Sequence, residues 1–318
     1  MHWLDRRKFL KCIVLASAAL VAWHLITSTL GREGLKMKPN VFTKDGKALV
    51  SKVKYNGDLN GSIRRTVDLI GGFNKVVGKG DRILLKPNFN TGDPPPASSD
   101  PEFVRTIIEL LYEHGAGEVV LGESSTLRLN TRDVLKETGM LRIAEEAGAR
   151  VVVFNEGKWV KVRTLGRHMK SMHLAEEVFR ADKIVYALCT KTHSMATFTG
   201  SLKLAVGMMR PMDRLGMHLW RLEEQIADLN TAVHPDLMIM DARKCFISGG
   251  PAHGEAREPG LILASGDRIA LDVEALRVMK GYEGNTLEKD VWDFRQIRSA
   301  VELGLGVTGE NEYKVLME

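Results

Sequence analysis

The feature that most limits the fold of this chain is a regular alternation. Short runs rich in Val, Ile and Leu recur between helix-length stretches whose apolar residues return every three or four positions. An apolar run of four to eight residues suits a buried strand, and the longer periodic stretches suit helices lying against a sheet. Arg82-Ile83-Leu84-Leu85, Glu118–Leu121, Arg150–Phe154, Lys183–Leu188, Leu237–Met240 and Leu261–Ala264 are the strand-like runs, and Ala48–Tyr55 alternates like a further strand. Helical spacing occupies Ile63–Phe73, a stretch starting at Pro101 with Asp100 as its cap, Arg132–Ala147, Leu202–Met209, Leu219–Thr231, Ile269–Met279 and Val291–Leu303. Strands separated by helices of this length read as βαβ units. The expected fold is therefore α/β, a mainly parallel sheet with helices on both faces. Alternation from Lys158 to Val162 falls outside that rhythm and predicts a strand-rich insertion near Lys158–Leu165.

Polar clusters follow the strands. Lys86 and Asn88 come after Leu85, Glu123 to Ser125 after Leu121, Lys191 and His193 after Leu188, Asp241 after Met240, and Asp267 after Ala264. In a parallel sheet such groups converge on the carboxyl edge, where ligands of open α/β folds bind. Lys86, Lys191 and Lys203 offer fixed positive charge for a small anion. Amides of a Thr199-Gly200-Ser201 helix start would add donors to the same anion. His193 is the candidate proton-transfer group. Asp241 or Asp267 would orient it, and Glu123, His193 and Asp241 are the candidate metal ligands. Asp267 also stands where a helix cap would, and Asp272 need not face the same way. Gly249 and Gly250 either let backbone approach a ligand or form a plain turn. His218, with Arg214 and Arg221 nearby, reads equally as a site group or as a solvated helix face.

The N-terminus carries a different signal. Asp5-Arg6-Arg7-Lys8-Phe9-Leu10-Lys11 precedes an apolar run from Cys12 to about Ile26, a pattern of targeting rather than of a domain. It resembles a twin-arginine export signal. It predicts the twin-arginine translocation machinery as a partner and a periplasmic or other extracytoplasmic location, soluble after cleavage or membrane-anchored. Residues 1–31 are assigned to this segment, 32–47 to a linker and 48–318 to the folded domain. The formal net charge is +5 over 318 residues. Four basic groups and one acidic group precede Arg32, which leaves about +2 for the rest and no case for a nucleic-acid surface. Beyond Cys12 there are only Cys189 and Cys245, so no intrinsic iron–sulfur cluster is expected; the two could pair in an oxidising compartment.

Lys86-Pro87-Asn88, Lys191-Thr192-His193 with Thr199-Gly200 and Lys203, Gly249-Gly250-Pro251, and Ala264-Ser265-Gly266-Asp267 through Asp272 together resemble the domain of unknown function 362 family. The similarity covers about Ala48 to Gly281. The resemblance implies the fold and a shared site rather than a substrate. Many relatives carry an attached iron–sulfur segment, whose cysteine clusters this chain lacks. Leu204 departs from the pattern, which has Asn after the lysine, and this puts an amide contact in doubt. The reading that results is an exported enzyme acting on a small anion, with or without a metal or redox cofactor, whose identity the sequence leaves open. Its alternative is a non-catalytic binding or accessory protein of an envelope redox system.

Overall fold

A computed structural model describes residues 31–318, so all but the last residue of the export segment lie outside the described residues. In chain order the strands are β1 (Arg32–Glu33), β2 (Thr43–Lys44), β3 (Lys47–Lys54), β4 (Arg82–Lys86), β5 (Glu118–Glu123), β6 (Arg150–Val153) and β7 (Trp159–Arg163). They continue with β8 (Ser171–Ala175), β9 (Lys183–His193), β10 (Thr197–Thr199), β11 (Leu237–Gly249), β12 (Gly254–Arg257), β13 (Leu261–Ser265) and β14 (Tyr313–Met317). The main sheet runs β14-β3-β13-β11-β9-β4-β5-β6, with β2, β10 and β12 paired alongside β3, β9 and β11. From β11 to β6 every neighbouring pair is parallel. β14 and β3 are parallel to each other, and β13 runs antiparallel to both of its neighbours. The predicted strand-rich insertion is present as a second sheet in which β7 joins β1 and β8.

Because successive side chains of a strand point to opposite faces, each central strand feeds two cores. Ile83, Leu85, Val185 and Ala187 pack with helices Leu59–Ile70 and Pro101–Glu113. Leu84, Ile184, Tyr186 and Leu188 pack on the other face, with Leu222–Asn230, Arg268–Lys280 and Arg295–Glu302. Complete burial of a Leu or Ile contributes roughly 1.5–3 kcal/mol, so this two-sided arrangement is what gives the central strands their continuous apolar sequence. Asp100 caps the Pro101 helix as its sequence predicts, accepting from Glu102 N at 2.8 Å.

The boundaries that differ have local causes. The first long helix begins at Leu59, because Asp58 Oδ1 accepts from Gly61 N. It stops before Gly71, whose φ of 125° leaves the helical region. The expected Leu219–Thr231 helix runs from Leu222 to Asn230, starting after Arg221 takes a left-handed φ of 49°, and a further helix, Pro211–Leu219, precedes it. The 32–47 stretch is built into the fold: Phe42 is fully buried, and Leu35 N donates to Ala232 O at 2.9 Å. β9 and β11 run well past their apolar segments, so Lys191 and His193 sit within β9 rather than in a loop beyond it.

The reversed direction of β13 moves Asp267 away from the other strand-end groups. A strand antiparallel to its neighbours places its carboxyl end on their amino edge. There Asp267 shares a depression with Lys183 and Asp236 instead of with Lys86 and Lys191. Asp267 Oδ1 caps the following helix by accepting from Ile269 N and Ala270 N, both at 2.9 Å, and Oδ2 accepts from Val307 N at 2.9 Å. The catalytic role expected of Asp267 is therefore replaced by a cap. Asp267→Ala should lower stability by about 1–2 kcal/mol, read as a fall in the urea midpoint with an unchanged slope.

Candidate functional site

The carboxyl ends of β4, β5 and β9 open onto a cavity of about 450 Å³. Lys86, Asn88, Glu123, Lys191, His193, Thr199 and Lys203 all line it, so most of the residues expected from the sequence do meet. Five basic side chains (Lys86, Arg128, Lys191, Lys203 and Arg214) face it against a single carboxylate, Glu123. Leu204, Val206, Pro211 and Leu215 supply apolar wall.

Most of the charged groups are already committed. Lys86 is buried between neighbouring strands and donates to Glu123 Oε1 at 2.6 Å and to Pro87 O at 2.5 Å. Burial holds its amine below the ordinary lysine range, and Glu123 opposes that shift. Glu123 also accepts from Ser124 N through Oε1 and from Phe89 N through Oε2. Period-two alternation places Cys189 and Lys191 on one face of β9. Lys191 Nζ donates to Pro96 O at 3.1 Å and to Ala97 O, with Cys189 Sγ at 3.5 Å. Lys191 thus ties the proline-rich loop to the sheet. Arg214 donates to the carbonyls of Met209, Ser124 and Ser125 and to the Ser124 hydroxyl. One N–H of Nη2 is left over by the donor inventory of a guanidinium.

Lys203 is different. It lines the cavity and makes no hydrogen bond or ion pair with any described residue. Burial pushes its amine down to about 7, with Lys191 and Arg214 adding repulsion. Four residues earlier, at the end of β10, the Thr199 hydroxyl is buried and also lacks a partner.

The two histidines divide the proton chemistry differently from the sequence expectation. His193 Nδ1 accepts from Met195 N at 3.1 Å and Ala196 N at 3.2 Å. A ring nitrogen that accepts carries no proton, so the neutral ring keeps its N–H on Nε2 and acts as a donor. Burial, reinforced by Lys203, Lys191 and His218, pushes His193 down to about 2, which keeps the ring neutral at ordinary pH. His218 Nδ1 lies 2.7 Å from Arg214 O, a partner that only accepts, so its proton sits on Nδ1 and Nε2 retains a free lone pair. His218 also lines the cavity, and it rather than His193 has the form of a base.

Other expected roles fall to structure. The amides of Ser201 and Leu202 do not await an anion; they donate to Asp272 at 2.6 and 3.0 Å. A Cβ on Gly200 would meet Asp272 Oδ1 at 2.3 Å, so that glycine serves the close approach of the carboxylate. Burial raises Asp272 to about 6. Gly249 and Gly250 take positive φ, and a Cβ on Gly250 would come within 2.0 Å of Thr192 O. Their turn lies on the backbone of β9 and delivers Pro251 and Ala252 to the cavity wall.

The candidate metal ligands do not assemble. Asp241 lies in a neighbouring cavity, where both its oxygens accept from Arg243. Glu123 is engaged by Lys86 and by the amides of Phe89 and Ser124. Among the described residues no group of three or more His, Cys, Asp or Glu side chains is placed to hold a metal ion. Cys189 and Cys245 are both buried and free, not paired.

The model of the family described as "Domain of unknown function (DUF362)" matches residues 83–277. The chain belongs to that family. A thylakoid-associated protein of Synechocystis is 30% identical to this DUF362 chain over 224 residues, 68% of each protein. Among solved structures, a Thermotoga maritima protein aligns at 13% identity with a TM-score of 0.42, covering 70% of this chain and 56% of that one. The lactate racemase apoprotein of Thermoanaerobacterium thermosaccharolyticum aligns at 10% identity with a TM-score of 0.38, covering 77% and 60%. This chain thus spans less than two thirds of either solved structure.

Within this DUF362 domain the matched segment contains every residue of the cavity's charged lining. Arg214 enters the sequence reading only beside His218, and Gly207 does not enter it. Arg214 sits on the Pro211–Leu219 helix, which lies outside the helical stretches read from the sequence. Gly207 packs so closely that a Cβ there would meet Lys86 Cε at 2.7 Å, yet an isolated glycine gives no sign of its neighbour. Removing one partner of a buried pair leaves an uncompensated charge. Glu123→Ala should therefore cost about 3–5 kcal/mol, whereas the double change Lys86→Met with Glu123→Leu should recover most of it. Chemical denaturation of the two variants measures both numbers.

Proposed function

We propose that this DUF362 protein is an exported enzyme that takes a small organic anion into the Lys86–Lys203 cavity and moves a proton there. The observation that carries the reading is Lys203, an amine without a partner in a cavity where cations outnumber carboxylates five to one. Burial first and then repulsion from Lys191 and Arg214 lower the Lys203 amine, and an anion entering the cavity would offset that repulsion. It would also meet the spare N–H of Arg214 and the Nε2–H of His193. The cavity's shape supports a ligand of modest size. His218 Nε2 would accept a proton and the His193 N–H would stabilise developing negative charge.

The twin-arginine pattern at Arg6-Arg7 supports export of the folded domain through the twin-arginine machinery, to the periplasm or an equivalent compartment. The apolar Cys12–Ile26 run supports membrane association, as does the relative described as thylakoid-associated. Among the described residues no helix is long and apolar enough to cross a membrane.

A second reading, a non-catalytic anion-binding accessory of an envelope redox system, is favoured by one feature: no carboxylate in the cavity is free to act as a base. The two diverge at His218. His218→Ala should leave anion affinity within a few-fold and abolish turnover if the protein is an enzyme, and should change neither if it is a binder.

The anion itself is tested by calorimetry with a panel of small carboxylates and inorganic phosphate. Lys203 is cationic below about pH 7 and neutral above it. Anion affinity should therefore fall as pH rises through 7, by up to about tenfold per pH unit. Lys203→Met should bind weakly and lose that slope. A flat pH profile in the unsubstituted protein would sink the anion reading.

A further inference from the structure

Three amines surround the cavity, and only one is chemically available. Lys86 is engaged by a carboxylate and a carbonyl, and Lys191 by two carbonyls and a thiol. Those acceptors tie both amines to the protein. Lys203 has no acceptor among the described residues to hold its proton. Its neighbour Thr199 is 5% exposed, lines the same cavity and has an unpartnered hydroxyl oxygen. A buried hydroxyl without a partner costs free energy unless a ligand supplies one. Two unspent polar groups therefore face one space, and one of them is nucleophilic.

We propose that Lys203 forms an imine with the carbonyl carbon of a 2-oxo carboxylate bound in this cavity. The inference rests on the anion reading and names its substrate class. The Lys203 lone pair attacks the carbonyl carbon, a C–N bond forms, and the carbonyl oxygen takes up a proton. The C–O bond then breaks, and that oxygen leaves as water with the two hydrogens of the amine. Neither an oxidant nor a reductant is consumed. The His193 Nε2–H and the Thr199 hydroxyl would hydrogen-bond the departing oxygen, and the spare Arg214 N–H would hold the carboxylate. Burial places the amine at about 7, so a large share of it is neutral at physiological pH. A lysine desolvated beside other cations is a general route to such a nucleophile.

The test uses the full chain with pyruvate and 2-oxoglutarate as probes and sodium cyanoborohydride as trap. Peptide mass spectrometry should find the reduced adduct at Lys203 alone, with at least one probe. Lys203→Arg, which keeps the charge without the nucleophile, should give no adduct. Propionate, an anion with no carbonyl, should bind by calorimetry and suppress trapping. If the anions bind and no adduct forms at Lys203, or adducts scatter over exposed lysines, the imine is overturned and the anion reading stands. If none of the anions binds, both fall together.

Discussion

The buried ion pair between Lys86 and Glu123 joins two neighbouring parallel strands at the edge where the cavity opens. Both side chains are removed from water, so the pair owes its persistence to geometry and to the further bonds around it rather than to net stabilisation. Those further bonds reach outward. Glu123 also takes the amides of Phe89 and Ser124, which fixes the first turn of the loop after β4 and the exit from β5. The Ser124 and Ser125 carbonyls in turn hold Arg214. Gly207 closes over Lys86 with no room for a side chain. A single pair thus links the strand ends, the Arg214 helix and the Ala205–Met208 segment that carries Gly207.

This dependence explains why the site is only partly visible in the sequence. The strand-end position of Lys86, Asn88, Glu123, Lys191 and His193 follows from alternation alone, because a parallel sheet sends all its carboxyl ends one way. Asp267 obeys the same local pattern and lies on the opposite edge. Strand direction is set by pairing between distant segments, and β13 inverts without any change in its own apolar run. Partner assignment is hidden for a similar reason. Asp272 takes the Ser201 and Leu202 amides from 71 and 70 residues away, so a helix start that reads as an anion site is already filled. The fold class and the insertion were legible as periodicity. The identity of each side chain's partner was not, since no periodicity encodes it.

The histidines show the same limit at the level of one proton. His193 and His218 are chemically identical in the sequence, and both reach the cavity. Their functions separate only through backbone groups: two amides face Nδ1 of His193, and one carbonyl faces Nδ1 of His218. The first arrangement makes a donor toward the ligand and the second an acceptor. Swapping the local turn that presents those amides for a helical carbonyl would exchange the roles without any change of side chain.

The cavity's charge imbalance has a cost in the empty state, and that cost is its chemical resource. Burial and the crowding of cations both disfavour a charged amine here, and Lys203 is the one lysine of the cavity without a partner among the described residues. Lys86, Lys191 and Arg214 are each anchored by carbonyl or carboxylate oxygens, so the strain falls on Lys203. Burial and that repulsion together lower the Lys203 amine, and in the proposed reading the same crowding of cations attracts an anion beside it. A ligand that is only an anion would draw the proton back onto Lys203. A ligand that also carries a carbonyl could satisfy the cavity while leaving the amine free to react, because the carboxylate and the electrophilic carbon would occupy different parts of the same space. In the proposed reading the anchored cations hold the ligand's charge, and Lys203, the cavity lysine without a partner among the described residues, supplies the bond.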